Sequence, residues 1–114
     1  MKIRNRDRDA PPFTTKDGST IREYLRTDRQ SLAEATLVPG QATDRHYHAR
    51  SEELYTILEG AGTMELDGDE RTLGVGDTVL IPPGAWHRIT GGPHGTRFLC
   101  CCAPPYSDDD THFE

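Results

Sequence analysis

The chain has 114 residues, a mass of 12.7 kDa and a formal net charge of −6. This length suits one domain, and the acidic balance argues against nucleic acid and against an anionic membrane surface as partners. No apolar run reaches the roughly 20 residues of a membrane-spanning helix, and the charged N-terminus is unlike a secretory signal, so we expect a cytoplasmic protein. Only 33% of the residues are hydrophobic, so part of the burial is expected to come from a second subunit.

The chain divides into three regions by composition. Residues 1–18 are polar and rich in turn formers, which is typical of an extended N-terminal arm. Between residues 19 and 106, short apolar runs alternate with Gly and Pro about every ten residues, which predicts one antiparallel sandwich or barrel domain. Residues 107–114, SDDDTHFE, are predicted to form a frayed acidic tail.

No segment shows a sustained helical period, so the predicted fold class is all-β. The predicted strands are, in chain order, residues 20–25, 32–38, 54–58, 63–66, 71–73, 78–81, 86–90 and 97–102. The run 32–38 also has the propensity for a short helix, and Pro39 ends it in either case. The pair Asp67-Gly68 predicts a hairpin turn, whereas Gly91-Gly92 and the proline after them predict a break before the last strand.

The three cysteines are consecutive: Cys100, Cys101 and Cys102. Adjacent residues of a strand point to opposite faces, so no pair is expected to have disulfide geometry, and a reducing compartment is indicated. A contiguous triplet lacks the spacing of a structural zinc site. Small apolar residues that fill a strand are therefore predicted in preference to a thiol cluster for a soft metal, and their access to the interior stays open.

Three histidines and a glutamate form a candidate metal site. His46 and His48 lie two apart, so on a strand both imidazoles would share one face. Glu53 begins the next predicted strand, and His87 lies in a later β-like run. Such a set suits one divalent transition metal per chain, namely iron, manganese, nickel, copper, cobalt or zinc. Four ligands on an octahedral ion would leave two positions open for chemistry.

Glycines and prolines are spaced regularly around these residues. From Gly40 to Gly60 the sequence reads G-x5-H-x-H-x4-E-x6-G, and from Gly76 to His87 it reads G-x5-P-x-G-x2-H. Together the two patterns resemble the two motifs of the cupin superfamily, over about half the chain. The resemblance is to the small single-domain cupin 2 type. It implies a double-stranded β-helix, or jelly-roll barrel, with a metal inside, held by His46, His48, Glu53 and His87.

Two details of the motifs leave alternatives or depart from the family. Glu52 is the rival to Glu53, because cupins allow one residue fewer after the second His, but Glu53 keeps the six-residue gap to Gly60. The second motif of the family usually ends in Asn, and here that position is Gly91, which puts a turn in question and not the site. The stretch 61–75 between the motifs leaves room for one hairpin and no inserted lid.

Strand alternation predicts which side chains line the pocket. If Glu53 points inward, Tyr55 and Ile57 do too, and Tyr55 is the candidate for a polar contact with substrate, with a core role equally open. Beside an inward His87, the inward residues would be Ala85 and Ile89. Tyr47, His94 and His112 are given no part in the site.

Apolar residues on the outer face predict an oligomer. Trp86, Leu54 and Leu58 are expected to point outward, and an apolar outer face on so small a barrel is best buried against a second copy. Small cupins are commonly homodimers, so the resemblance implies the same assembly. We therefore expect a homodimer with a small-molecule substrate.

Three functions are compatible with this site. A metal-dependent enzyme with dioxygenase-like oxidoreductase chemistry is preferred, because the ligand set leaves open positions on the metal. A sugar or sugar-phosphate isomerase or epimerase would need cations at the barrel mouth, for which Arg45, Arg50 and Arg88 are the candidates, although solvated side chains are the preferred interpretation of all three. A non-enzymatic module that binds a metal or small ligand is the third. No helix-turn-helix segment is present, so a DNA-binding regulator is not expected.

Overall fold

The computed structural model describes residues 1–114 as nine strands with two very short helices. In chain order the elements are α1 (Arg6–Asp9), β1 (Phe13–Thr14), β2 (Thr20–Arg26), β3 (Ser31–Leu37), β4 (His46–His48), β5 (Glu52–Leu66), β6 (Asp69–Gly74), β7 (Thr78–Ile81), β8 (His87–Ala103), a 3-10 helix (Asp108–Asp110) and β9 (Thr111–Phe113). Neither helix has the length or apolar character needed to span a bilayer.

All strands pair antiparallel into one curled sheet. One path of neighbours runs β1-β2-β3-β8-β4-β9, while β5 pairs with β6, β7 and β8. Residues 32–37 fall on β3 and Val38 follows its end, so the helix alternative for that run is wrong. The all-β prediction is confirmed, and β5 and β8 together form the longest pairing in the sheet.

Alternate side chains of the strands turn inward and form one apolar core. The core residues are Ala35, Leu37, Tyr55, Ile57, Met64, Ile81, Ala85, Ile89 and Phe98. Burying a side chain the size of Leu or Phe contributes about 1.5–3 kcal/mol, so these few residues carry much of the stability of a small domain. The predicted inward positions of Ile57, Ala85 and Ile89 are confirmed.

The predicted break at Gly91-Gly92 does not end a strand, because β8 continues through it, although residues 92–95 have no partner in β5. The partner strand β5 likewise continues past Gly60, and the register between the two strands shifts on either side of that residue. Such bulges let a pair of strands bend together without ending. At Gly60 the φ angle is +71°, and a Cβ would lie 2.1 Å from the carbonyl oxygen of Gly95, so only glycine fits this corner.

The motif position where the family usually has Asn lies inside β8. Gly91 is buried there and pairs with Gly62 on β5. A Cβ at this position would lie 2.7 Å from the carbonyl oxygen of Val38. Glycine at this position therefore allows the backbones of Gly91 and Val38 to approach closely. Neither residue is one of the four predicted ligands.

The predicted hairpin between the motifs is confirmed. Strands β5 and β6 pair up to Leu66 and Asp69, which leaves Asp67 and Gly68 as the two turn residues. Their φ angles are +48° and +89°, as a type I′ turn requires. This hairpin occupies the stretch 61–75, and no lid is inserted there.

The N-terminal arm is more structured than the sequence predicted. Asn5 caps the single turn α1 by accepting from the backbone N–H groups of Asp7 and Arg8. Farther on, β1 pairs with β2, and the Arg6 side chain forms an ion pair with the buried carboxylate of Glu34. The arm therefore packs along the outside of the sheet and then crosses toward the pocket.

The prediction of a frayed tail is wrong. Strand β9 pairs with β4, with Thr111 opposite His48 and Phe113 opposite His46. The carboxylate of buried Asp110 accepts from backbone N–H groups in the loop between β4 and β5. Because β4 has only three residues, pairing with β9 satisfies backbone groups that would otherwise form a free edge.

Candidate metal centre

The structure brings all four predicted ligands to one point. Strand β4 supplies His46 and His48, β5 supplies Glu53 and β8 supplies His87, and His46 lies directly opposite His87 in the sheet. All four side chains are buried, and one ligating atom from each lies within 4.8 Å of the others. Glu52, the rival carboxylate, is exposed and takes no part in the cluster.

Each imidazole is held so that the same ring nitrogen faces the cluster. The Nδ1 atoms of His46 and His87 lie 2.7 and 2.9 Å from backbone carbonyl oxygens two residues earlier. A carbonyl oxygen only accepts, so both Nδ1 atoms carry a proton. Thr111 donates its hydroxyl proton to a backbone carbonyl and lies 3.2 Å from Nδ1 of His48, which therefore also donates. In the neutral rings, all three Nε2 atoms are left as lone-pair donors, as metal-binding histidines require.

Two buried atoms at the centre have no hydrogen-bond partner: Oε1 of Glu53 and Nε2 of His87. They lie 3.3 Å apart, and Nε2 of His48 lies 2.9 Å from the same oxygen, but neither approach has the alignment of a hydrogen bond. An unpartnered buried polar group is costly. A divalent cation among these atoms would satisfy all of them, so the residues present fit the group that the resemblance implies.

The electrostatics of the cluster favour the ionised form of Glu53. Burial acts to raise the pKa of Glu53, but the imidazoles of His48 and His87 outweigh it and hold that pKa well below its ordinary value. Burial acts to lower the pKa of His48, and the Glu53 carboxylate outweighs it and raises that pKa. Burial, and then the neighbouring His87, lower the pKa of His46. The buried carboxylate is thus anionic, with the imidazoles of His48 and His87 as its partners.

Two of the three cysteines reach the interior, beside the other oxygen of Glu53. The Sγ atoms of Cys100 and Cys102 lie 3.0 and 3.1 Å from Oε2 and 3.6 Å from each other, as free thiols. The Cys102 thiol and burial raise the pKa of Cys100 well above its ordinary value. Cys101 points to the other face, so the prediction of mere strand filling overlooked two polar contacts.

A cavity of about 380 Å³ opens onto the centre. Its walls include three of the four predicted ligands, His46, His48 and Glu53, together with the two inward cysteines. Residues 13–17 of the N-terminal arm form another part of the wall. The volume lies in the range of sites for small organic molecules, and the cover over the pocket comes from the arm, not from the stretch between the motifs.

Asp17 is a candidate functional residue that the sequence analysis missed. Its Oδ2 lies 3.9 Å from Nε2 of His46, on the pocket side of the cluster. Its other oxygen, Oδ1, accepts from the hydroxyls of Thr15 and Ser19, each at 2.6 Å, and from the backbone N–H of Ser19. The signal in the sequence is the turn-forming run Thr15 to Ser19, which fixes the aspartate but does not reveal what it faces.

Comparison with known proteins agrees with this geometry. The family model of the cupin domain matches residues 33–100, a range that includes all four predicted ligands. The chain belongs to the cupin family. MJ1618 of Methanocaldococcus jannaschii, an uncharacterized protein, is 47% identical over 106 residues, which cover 88% of this cupin and 85% of that protein. L-ectoine synthase of Bordetella avium is 32% identical over 95 residues, which cover 80% and 71% of the two chains.

Among solved structures, this cupin is similar to Streptomyces Pac13, described as a nucleoside dehydratase with a β-barrel. The TM-score is 0.85, the alignment covers 100% of this chain and 91% of Pac13, and 16% of the residues are identical. At that identity the similarity shows a shared fold. The predicted double-stranded β-helix is thereby confirmed.

Tyr55 of this cupin lies in the pocket wall, as expected, and is also part of the core. It is 4% exposed, packs on Phe98 at 4.6 Å between ring centres, and lies 6.2 Å from the His87 ring. Burial and the neighbouring Glu53 raise its pKa well above the ordinary value of tyrosine. The hydroxyl therefore stays protonated, so Tyr55 serves better as a donor than as a base.

An aromatic cluster lies on the side of β4 away from the centre. Tyr47 packs edge-on against Trp86 at 4.7 Å and stacks on His112 at 4.9 Å. His112, to which the sequence analysis gave no role, thus helps to hold β9 against β4. The guanidinium of Arg45 lies 5.2 Å from the Trp86 ring.

The three arginines considered as phosphate ligands do not line the cavity. Arg45 pairs with Glu65 at 2.8 Å, and Arg50 lies 3.8 Å from Asp110. Arg88 is exposed. The structure therefore does not support a role for these three arginines at the barrel mouth.

Proposed function

We propose that this cupin is a metal-dependent enzyme that removes a proton from a small polar molecule, in an elimination or cyclisation reaction. The observation that carries the proposal is the convergence of three oriented imidazole Nε2 atoms and the unpartnered Oε1 of Glu53 at a cavity of substrate size. His46, His48, His87 and Glu53 would hold one divalent ion. When bound, such an ion supplies a Lewis acid that polarises an oxygen of the substrate.

Asp17 is the proposed proton acceptor. Thr15 and Ser19 use up the acceptor capacity of Oδ1 and fix the side chain, while Oδ2 faces the cavity near His46. A general base must be positioned before its pKa matters, and this carboxylate is positioned. Protonated Tyr55, on another wall, is the proposed hydrogen-bond donor to substrate.

Two further observations support an enzyme over a binding module. A pure binding site has no need of a free carboxylate held beside the ligand cluster, as Asp17 is. The similarity to L-ectoine synthase also extends over most of both chains. A non-enzymatic module and a sugar-phosphate isomerase have less support. The arginines predicted for the isomerase lie outside the cavity, although Lys16 and Arg26 line it.

A dioxygenase-like oxidoreductase is the second candidate. Three histidines and a glutamate leave two positions open on an octahedral ion, as dioxygen chemistry requires. The two thiols within 3.1 Å of Glu53 weigh against it, because they are readily oxidised groups beside the proposed reaction centre. For this reason we prefer a reaction without net oxidation of the substrate.

Metal content is the first test. Protein purified without tag or chelator should contain about one divalent ion per chain by elemental mass spectrometry. His48→Ala should lose most of it and keep the circular dichroism of the fold. His94→Ala is the matched control, because His94 is an exposed histidine outside the ligand cluster. Equal occupancy in wild type and His48→Ala would contradict the ligand assignment.

Asp17→Asn tests the proposed chemistry. The metal-loaded protein is incubated without dioxygen with a panel of small hydroxy, keto and amino compounds, and products are detected by mass spectrometry. We expect loss of water or ring closure, and a fall in turnover of about 100-fold or more in Asp17→Asn with unchanged metal content. Asp44→Asn is the exposed control. Substrate-dependent oxygen consumption with intact activity in Asp17→Asn would favour the dioxygenase instead.

We also propose that two copies pair through the outer face of the sheet. Leu32, Cys101, Leu54 and Leu80 lie side by side across β3, β8, β5 and β7, and the three leucines are 37%, 42% and 50% exposed. Sedimentation should give twice the 12.7 kDa chain mass, and Leu54→Lys should give a monomer. The control Val75→Lys alters an exposed apolar residue outside this row. A wild-type monomer at micromolar concentration would overturn the proposal.

A further inference from the structure

The proposed metal centre uses only one oxygen of Glu53, and the second oxygen faces different chemistry. Oε1 points to the imidazoles of His48 and His87, whereas Oε2 lies 3.0 Å from the Sγ of Cys100 and 3.1 Å from that of Cys102. The two sulfurs are 3.6 Å apart, and the three atoms together form a compact cluster of ligand types. The carboxylate therefore separates a nitrogen-rich side from a sulfur-rich side.

We propose that Cys100, Cys102 and Oε2 of Glu53 form a second metal position, for a thiophilic ion such as zinc(II) or copper(I). Thiolates select such ions, whereas the imidazole side accepts the broader first-row series. Both cysteines line the cavity, so an ion reaches them by the same route as a substrate. With three protein ligands, the position keeps a fourth site open toward the pocket.

The observed spacing is close to what this coordination requires. A tetrahedral zinc with Zn–S distances of about 2.3 Å separates two sulfurs by about 3.8 Å, against the 3.6 Å observed. The sulfur–oxygen distances would lengthen by about 0.5 Å as each S–H proton is replaced by a shared ion.

The alternative is that the thiols only donate hydrogen bonds to Glu53. Serine in place of cysteine preserves such donors while removing the soft ligand, so Cys100→Ser with Cys102→Ser separates the two roles. Cys101→Ser is the matched control, because Cys101 precedes Cys102 on the same strand but does not line the cavity. The position needs no catalytic activity, so its test stands apart from the proposed function.

The experiment is a cadmium(II) titration of the full chain without dioxygen, in the presence of a phosphine reductant. Cadmium bound by thiolate produces ultraviolet charge-transfer absorption, and equilibrium dialysis gives the number of ions. Wild type and Cys101→Ser should bind about two ions per chain, one with thiolate absorption. The double serine variant should bind about one ion and lose that absorption.

A second variant shows whether the two positions are separate. In His46→Ala with His48→Ala, the thiolate absorption should persist while one ion is lost. Absence of thiolate absorption in wild type, or its persistence in the double serine variant, would overturn the proposal. Loss of the absorption together with the histidine ligands would show a single shared ion and would also overturn it.

Discussion

Two carboxylates, Glu34 and Glu53, are equally hidden from solvent but have opposite surroundings. Glu34 is 1% exposed and Glu53 is 2% exposed. Around Glu34 are the guanidinium groups of Arg6 and Arg97, the latter at 3.7 Å, and the Tyr24 hydroxyl at 2.7 Å. Around Glu53 there are only imidazoles and thiols, and one oxygen has no partner. Burial alone therefore does not identify a functional carboxylate, whereas a buried oxygen without a hydrogen-bond partner does.

The largest expected effect comes from Glu53→Gln, which removes the charge and keeps the size. The affinity for a divalent ion should fall about 100-fold or more, because one ligand is lost. The free energy of unfolding of the metal-free protein should also fall, because the folded state holds the pKa of Glu53 well below its ordinary value and so favours the charged carboxylate. Glu52→Gln, at the exposed neighbour, is the control in both dialysis and urea unfolding. A greater loss of affinity in Glu52→Gln would move the carboxylate ligand.

Glu34→Gln is expected to lower stability without any loss of metal affinity. An amide at this position leaves Arg97 and Arg6 without their shared anion, so the free energy of unfolding should fall by about 2 kcal/mol. Metal affinity should stay at the wild-type level, because Glu34 lies outside the cluster. Urea unfolding measures the first quantity and dialysis the second. Glu59→Gln, which removes an exposed partner of Arg97, should have little effect on either.

A smaller effect is expected from Thr111→Val, because the Thr111 side chain contacts only one predicted ligand, His48. Without the hydroxyl, Nδ1 of His48 loses the acceptor that fixes its ring, so metal affinity should fall about tenfold. Thr111→Ser keeps the hydroxyl and should restore most of the affinity. If Val and Ser variants bind metal equally, the hydrogen bond has no orienting role.

The smallest effect is a pH dependence that belongs to Glu34. Burial acts to raise its pKa, but Arg6 and Tyr24 outweigh burial and lower the pKa below the ordinary 4.5. The contribution of Glu34 to stability is therefore complete above about pH 4.5 and is lost as pH falls through the folded-state pKa. The difference in unfolding free energy between wild type and Glu34→Gln should shrink below that pH. A constant difference down to about pH 3 would contradict the assignment.

The sequence was most informative where spacing alone determines geometry. His46 and His48 share a face because strand residues two apart must, and the Asp67-Gly68 pair takes the positive φ angles of its turn for equally local reasons. The inward position of Tyr55 follows from Glu53 by the same alternation. The four metal ligands stay a prediction, which the structure supports by bringing them within 4.8 Å of one another.

Features that depend on distant pairing were not predictable from local pattern. Asp17 faces His46 only because the N-terminal arm crosses the pocket, and nothing in its own neighbourhood specifies that path. The two inward cysteines required the register of β8 against β5, in which Cys102 lies opposite Glu53. Strand β9 was not predicted, because the acidic residues 108–110 before it are typical of a solvated tail. In the structure, buried Asp110 anchors this segment through its hydrogen bonds to the loop between β4 and β5.

The pairing of β4 with β9 has a consequence for the order of events during protein synthesis. Thr111, which orients the His48 ring, follows that histidine by 63 residues. While the ribosome still holds the segment around Thr111, the histidines and Glu53 have already emerged but lack their final wall. At the proposed centre, an ion would therefore be held by its complete wall only after this segment has left the ribosome, and a chain interrupted before Thr111 would have an unfinished centre.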